Sequence, residues 1–118
     1  MKKLWLIHRE YSDAGIRWSG SLRGSSRIWA AVTPWGNETA IEERLIVEWA
    51  ELVLGPTGTI QTQHVRCGAA GKVTGVVRLI FERSGVGEVS VVVENGDRSA
   101  ALRELLALAI LQSDRAKP

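Results

Sequence analysis

The sequence predicts an α+β fold: an antiparallel sheet of about six strands with two helices packed on one face, in the order βββα-βββα. Three observations predict it. Several short segments alternate apolar and polar residues at period two, divided by Gly-, Asn-, Asp- and Ser-rich turns. Two longer segments carry apolar residues at helical spacing behind capping residues. Sliding the sequence along itself aligns Gly36-Asn37-Glu38-Thr39-Ala40 with Gly96-Asp97-Arg98-Ser99-Ala100, and six of forty positions are identical between 14–53 and 74–113. A duplicated unit with pseudo-twofold symmetry would produce this pattern.

Taken in order, Leu4, Leu6 and His8 fall on one face of a first strand, with Trp5 and Ile7 on the other. Tyr11-Ser12-Asp13-Ala14-Gly15 is turn chemistry. A second strand covers Ile16 to Leu22, and Arg23-Gly24-Ser25-Ser26 leads into a third from Arg27 to Thr33. Pro34 closes it. Thr39 with Glu42 forms a capping box, with Asn37 as the competing N-cap. In the helix that follows, Ile41, Leu45, Trp49, Leu52 and Val53 share one face, and Arg44, Glu48 and Glu51 share the opposite one. Gly55-Pro56 ends it.

The second half repeats the plan. Thr59 to Arg66 reads as a polar edge strand, Gly68-Ala69-Ala70-Gly71 as a loop, and Lys72 to Glu82 as a long strand. Ser84 to Gly87 turns the chain into Val89 to Val93. Asn95-Gly96-Asp97 then opens a last helix from about Arg98 to Gln112, capped by Asp97 or Ser99. The expected organisation is a single domain over 1–113, with repeats 1–56 and 57–113 and a frayed tail over 114–118.

With 118 residues and an apolar fraction of 45%, the chain can build a core without staples. Cys67 is the lone cysteine, so no internal disulfide exists and a cytoplasmic location is expected. Lys2-Lys3 before Leu4-Trp5-Leu6-Ile7 imitates a secretory leader, but the apolar run is too short for one. The longest apolar run, Leu105 to Leu111, is far short of a membrane span.

Motifs for chemistry are sparse. His64 and Cys67 form an H-x-x-C pair, and His8 is the remaining histidine, a set too small and too scattered for a zinc site. Gly68 to Thr74 lacks the first glycine and the hydroxyl residue of a phosphate loop. Glu42, Glu43, Glu48 and Glu51 form an acidic cluster on the wet side of a helix, without a polarising neighbour. No catalytic residue, metal or cofactor is assigned, and a non-enzymatic role is expected.

Charge and aromatics are more informative. Net charge is +2, but residues 1–37 hold six Lys/Arg against two Asp/Glu, whereas 38–60 hold one against five. Five tryptophans stand against one Phe and one Tyr, and Trp5, Trp18, Trp29 and Trp35 all lie in the basic first third. Indoles stack on unpaired bases while Arg and Lys hold phosphates. Lys2, Lys3, Arg9, Arg17, Trp18, Arg23, Arg27 and Trp29 are therefore the candidate nucleic-acid-binding residues. The competing expectation is that these indoles fill the core. The last helix is apolar around most of its circumference, through Leu102, Leu105, Leu106, Leu108, Ile110 and Leu111. That predicts a homo-oligomer interface.

At the level of element order, Arg27 to Ala31 followed by Thr39 to Glu43 resembles the last strand and helix of an Apetala-type DNA-binding domain. The duplicated sheet-and-helix unit is similar in outline to PUR-repeat and Whirly-type single-strand binders, with three strands per unit where those have four or more. Both resemblances imply DNA or RNA as partner. The leading expectation is thus a nucleic-acid-binding protein acting through a basic, tryptophan-bearing sheet face. The alternative is a protein-interaction module, such as a small phage or mobile-element inhibitor of a host factor.

Overall fold

The computed structural model describes the backbone of residues 3–55, 60–66, 73–81, 87–94 and 98–116, and the side chains within 3–55 and 100–115. Lys2, Pro56, Thr59, Cys67, and positions 68–72, 82–86 and 95–97 lie outside the described residues. The elements run β1 (Trp5–Ser12), β2 (Gly15–Leu22), β3 (Ile28–Thr33), α1 (Glu38–Leu54), β4 (Ile60–Arg66), β5 (Val73–Phe81), β6 (Gly87–Glu94) and α2 (Arg98–Ala116).

The fold is α+β. Strands β1, β2 and β3 form a three-stranded antiparallel sheet in that order. Strands β4, β5 and β6 pair with one another in a separate three-stranded set, so the strands do not join into the single six-stranded sheet expected. Helix α2 packs against α1, β1, β5 and β6, so it touches strands of both sets.

Strand β1 runs four residues beyond His8, because Tyr11 and Ser12 pair with Ile16 and Gly15. Only Asp13-Ala14 remains as the connection. Gly15 holds a φ of 140°, a region L side chains rarely enter. A Cβ there would lie 2.2 Å from the Thr33 carbonyl oxygen. The glycine is thus what lets β3 close on β2.

Helix α1 starts where the competing cap stands: Asn37, not Thr39, accepts the Ala40 N–H through its side chain at 3.1 Å. It ends at Gly55, with φ 81°. The Gly55 N–H donates to the Glu51 carbonyl at 2.8 Å. The helix buries Leu45, Ile46, Trp49, Ala50 and Leu54, whereas Leu52 is 78% exposed, contrary to its expected place on the inner face. Two neighbours explain the offset. The sheet takes Leu45 and Trp49, α2 also packs on the helix, and the buried arc turns toward Ile46 and Ala50.

One core joins these elements. Ile16, Trp18, Gly20 and Leu22 of β2 are all buried, while Arg17 is exposed and Ser19 and Ser21 are partly so, giving strict period-two alternation. Trp5, Trp29 and Trp49 meet over Gly20. Trp29 stacks on Trp49 with ring centroids 6.2 Å apart and planes 14° off parallel. Trp5 lies 5.5 Å from Trp29, a tilted pairing that indole rings favour. A Cβ on Gly20 would come within 2.4 Å of the Trp49 ring, so the glycine makes room for the indole.

Among the elements whose side chains are described, helix α2 is the most enclosed. Ala101, Leu105, Leu106, Ala107, Ala109 and Ile110 are each at most 2% exposed within the chain itself. A helix apolar all round is a core helix. Of the residues expected at an oligomer interface, Leu105, Leu106 and Ile110 are buried by internal packing, and Leu102, Leu108 and Leu111 are partly buried against the same core. The helix runs past the Gln112 expected, to Ala116. Ser113 is buried and Asp114 holds Arg27.

Candidate interaction surface

The β1–β3 sheet has one face under the helices and one face open. Its register sorts the residues. Trp5, Ile7, Arg9 and Tyr11 of β1, with Ile16, Trp18, Gly20 and Leu22 of β2 and Trp29, Ala31 and Thr33 of β3, share the helix-covered side. The open side carries three rows: Leu6, Ser21 and Ile28; His8, Ser19 and Ala30; Glu10, Arg17 and Val32.

This register decides the fate of the candidate residues. Trp18 has no exposed surface, and its indole N–H donates to the Thr33 hydroxyl at 2.8 Å. A ring so placed cannot stack on a base, and its assignment to a nucleic-acid surface is corrected. Trp29 lies on the same covered side, stacked on Trp49. Trp5 donates its indole N–H to the Arg103 carbonyl of α2 at 2.9 Å. Trp35 alone of these stands out in solvent, 63% exposed, with its N–H on the Ser12 carbonyl.

The cations are divided. Arg9 sits 4.9 Å above the Trp18 ring and contacts Glu38 and Glu42, each at 3.2 Å. Glu42 also receives Arg103 of α2 at 3.2 Å. Its carboxylate therefore joins β1, α1 and α2. Burial pulls the Arg9 pKa down, but its hydrogen bonds to Glu42 and Tyr11 outweigh that, and the guanidinium stays charged. Two nitrogens of Arg27 reach the Asp114 carboxylate at 2.8 and 2.9 Å. Both arginines act within the fold, tying sheet to helices. Lys3, Arg17 and Arg23 are exposed, and the Arg23 Nε–H donates to the Lys3 carbonyl.

Tyr11 donates its hydroxyl to Glu38. That hydrogen bond raises its pKa above the ordinary 10.0. Because the folded value is the higher one, the contribution is complete below the unfolded pKa and is lost as pH rises through the folded one. Tyr11 is the single tyrosine. Its phenolate absorbance should therefore appear at higher pH in the native protein than in urea, and Glu38→Gln should bring the two midpoints together.

The open side forms a trough of about 720 Å³. Ser19 and Ser21 make its floor, Leu6 and Ile28 its walls, and Lys3 and Arg23 lie at one end. Leu6 is 42% exposed, Ile28 78% and Val32 73%. Their residue types favour burial. The sequence contained the signal for this surface. Once Trp18 is placed inward, period two sends Arg17, Ser19 and Ser21 outward, and pairing sends Leu6 and Ile28 with them.

Among the described residues, no group of three or more His, Cys, Asp or Glu side chains could hold a metal ion. No helix there is long and apolar enough to cross a membrane. Comparison of the chain with protein-family models, with curated proteins and with solved structures returned no match.

Proposed function

We propose that this chain is a non-catalytic protein-interaction module that docks a segment of a partner protein in the trough on the open side of the β1–β3 sheet. The observation that carries this reading is the composition of that face. Two exposed aliphatic walls flank a floor of small hydroxyl side chains, Lys3 and Arg23 stand at one end, and Arg17 is exposed in the row at the other. A partner segment with apolar side chains followed by carboxylates complements it, the aliphatic groups entering between Leu6 and Ile28 and the carboxylates reaching Lys3 and Arg23. Nucleic acid is the weaker fit. Trp18 and Trp29 lie on the covered side, while Arg9 and Arg27 are engaged by carboxylates. We further read β4 to α2 as a second copy of the β1–α1 unit, supported by the like order of elements and the shared residues at the helix starts.

A photo-crosslinking residue at Ser21, in cells of the native host, tests the docking site. The expected result is one protein captured at 1:1 stoichiometry, lost when Ile28→Asp is added and absent when the crosslinker sits at Asp13. A Ser21 adduct that nuclease removes would return the reading to nucleic acid. A clean failure at Ser21 beside capture elsewhere would refute the trough.

A further inference from the structure

Strand β3 is an edge of its sheet, because the order β1-β2-β3 leaves its far side without a strand among the described residues. No backbone hydrogen bond from a turn, loop or cap there reaches it. Natural edges are guarded by charge, proline or a bulge. β3 has none of the first two: Ile-Trp-Ala-Ala-Val-Thr contains no charged residue and no proline. The opposite edge, β1, carries His8, Arg9 and Glu10. Beside β3 runs a second groove of about 600 Å³, bounded by Ala30, Ala31, Leu45, Trp49 and Leu52, with Glu48 and Glu51 of α1 also on its lining. Its outer wall, Leu52, is 78% exposed.

We infer that β3 pairs antiparallel with β3 of a second copy of this chain, joining two sheets edge to edge about a twofold axis centred on Ala30. The choice of a second copy over another partner rests on self-complementarity. With Ala30 opposite itself, Ile28 faces Val32 of the partner subunit on the open side. On the helix side, Trp29 faces Ala31 of the partner subunit, so a large ring meets a small residue at both ends. β-Branched and aromatic cross-strand pairs are favourable, and an uncharged strand meets its copy without repulsion. The two Leu52 side chains then lie on the same side of the joined sheet, over the two grooves. A register two residues further on would bring Pro34 into the ladder opposite Ile28, where it cannot donate. This inference is independent of the docking proposal, since the trough exists on each chain whether or not the edges meet.

Sedimentation equilibrium of the full chain is expected to show a dimer, with Val32→Lys weakening it at least about tenfold, or 1.4 kcal/mol. Val32 is already 73% exposed, so the lysine leaves the monomer folded. Leu6→Lys, on the far strand, should leave the dimer unchanged. In a Cys67→Ser background, Ala30→Cys should form an intermolecular disulfide under mild oxidation. A chain monomeric up to about 1 mM, or a dimer indifferent to Val32→Lys and unlinked by Ala30→Cys, overturns the inference. Ile28 serves both the trough and the β3 edge, so Leu6→Asp, which touches only the trough, decides the Ser21 crosslink, and the two proposals can fail separately.

Discussion

Trp18→Ala is expected to lower the unfolding free energy by about 3–5 kcal/mol, the range for truncating a fully buried tryptophan. The side chain has no solvent exposure, lies under the Arg9 guanidinium and donates to Thr33. Removing the ring opens a cavity in the middle strand, strips Arg9 of its aromatic platform and leaves a buried hydroxyl short of one donor. A small domain has a total stability of about 5–15 kcal/mol, so this one change takes a large share of it. Urea denaturation followed by far-UV circular dichroism measures the loss. Thr33→Val offers the internal comparison. It removes the acceptor of the indole N–H together with the hydroxyl's own bond to the Pro34 carbonyl, and should cost about 1–3 kcal/mol, mostly from the stranded indole N–H. Equal losses for the two variants would mean that the ring contributes little beyond its hydrogen bond.

Gly15→Ala is expected to cost about 2–6 kcal/mol, from two sources of about 1–3 kcal/mol each. One is backbone strain, since φ is 140° at this position. The other is overpacking: the new methyl would meet the Thr33 carbonyl oxygen at 2.2 Å. A backbone atom in a paired strand cannot step aside cheaply. Gly24→Ala separates the two. Gly24 also has positive φ, 84°, but a Cβ there meets nothing within 4 Å. Its substitution should cost strain alone, about 1 kcal/mol. Thermal melts of the two variants side by side should show Gly15→Ala falling much further. Similar shifts would place the burden on φ and not on the approach of β3.

These same residues mark what was legible in the sequence. Period-two alternation located β1, β2 and β3 within a few residues, and Gly55-Pro56 marked the end of α1, because those signals are local. The face each strand presents was not local. Arg9 and Trp18 look like an RNA-stacking pair in one dimension. In three, pairing sets them side by side beneath α1, where Glu38 and Glu42 meet the cation. Likewise, the leucines of α2 called for a covering surface, and nothing in their spacing distinguishes another subunit from the neighbouring elements of the same chain. The open trough was the complement of a choice about Trp18 that only tertiary packing makes.

The Trp5 indole and the Arg103 carbonyl are 98 residues apart in sequence, yet one hydrogen bond joins them. During synthesis on the ribosome, Trp5 must wait for the next 98 residues before its partner exists. Until then the nascent chain holds Trp5, Ile46 and Ala50 without their final cover, an interval in which a chaperone or premature aggregation competes for them. Closure by the last helix is therefore a late, long-range event, and nonsense truncations that delete it should yield insoluble product instead of a smaller working protein.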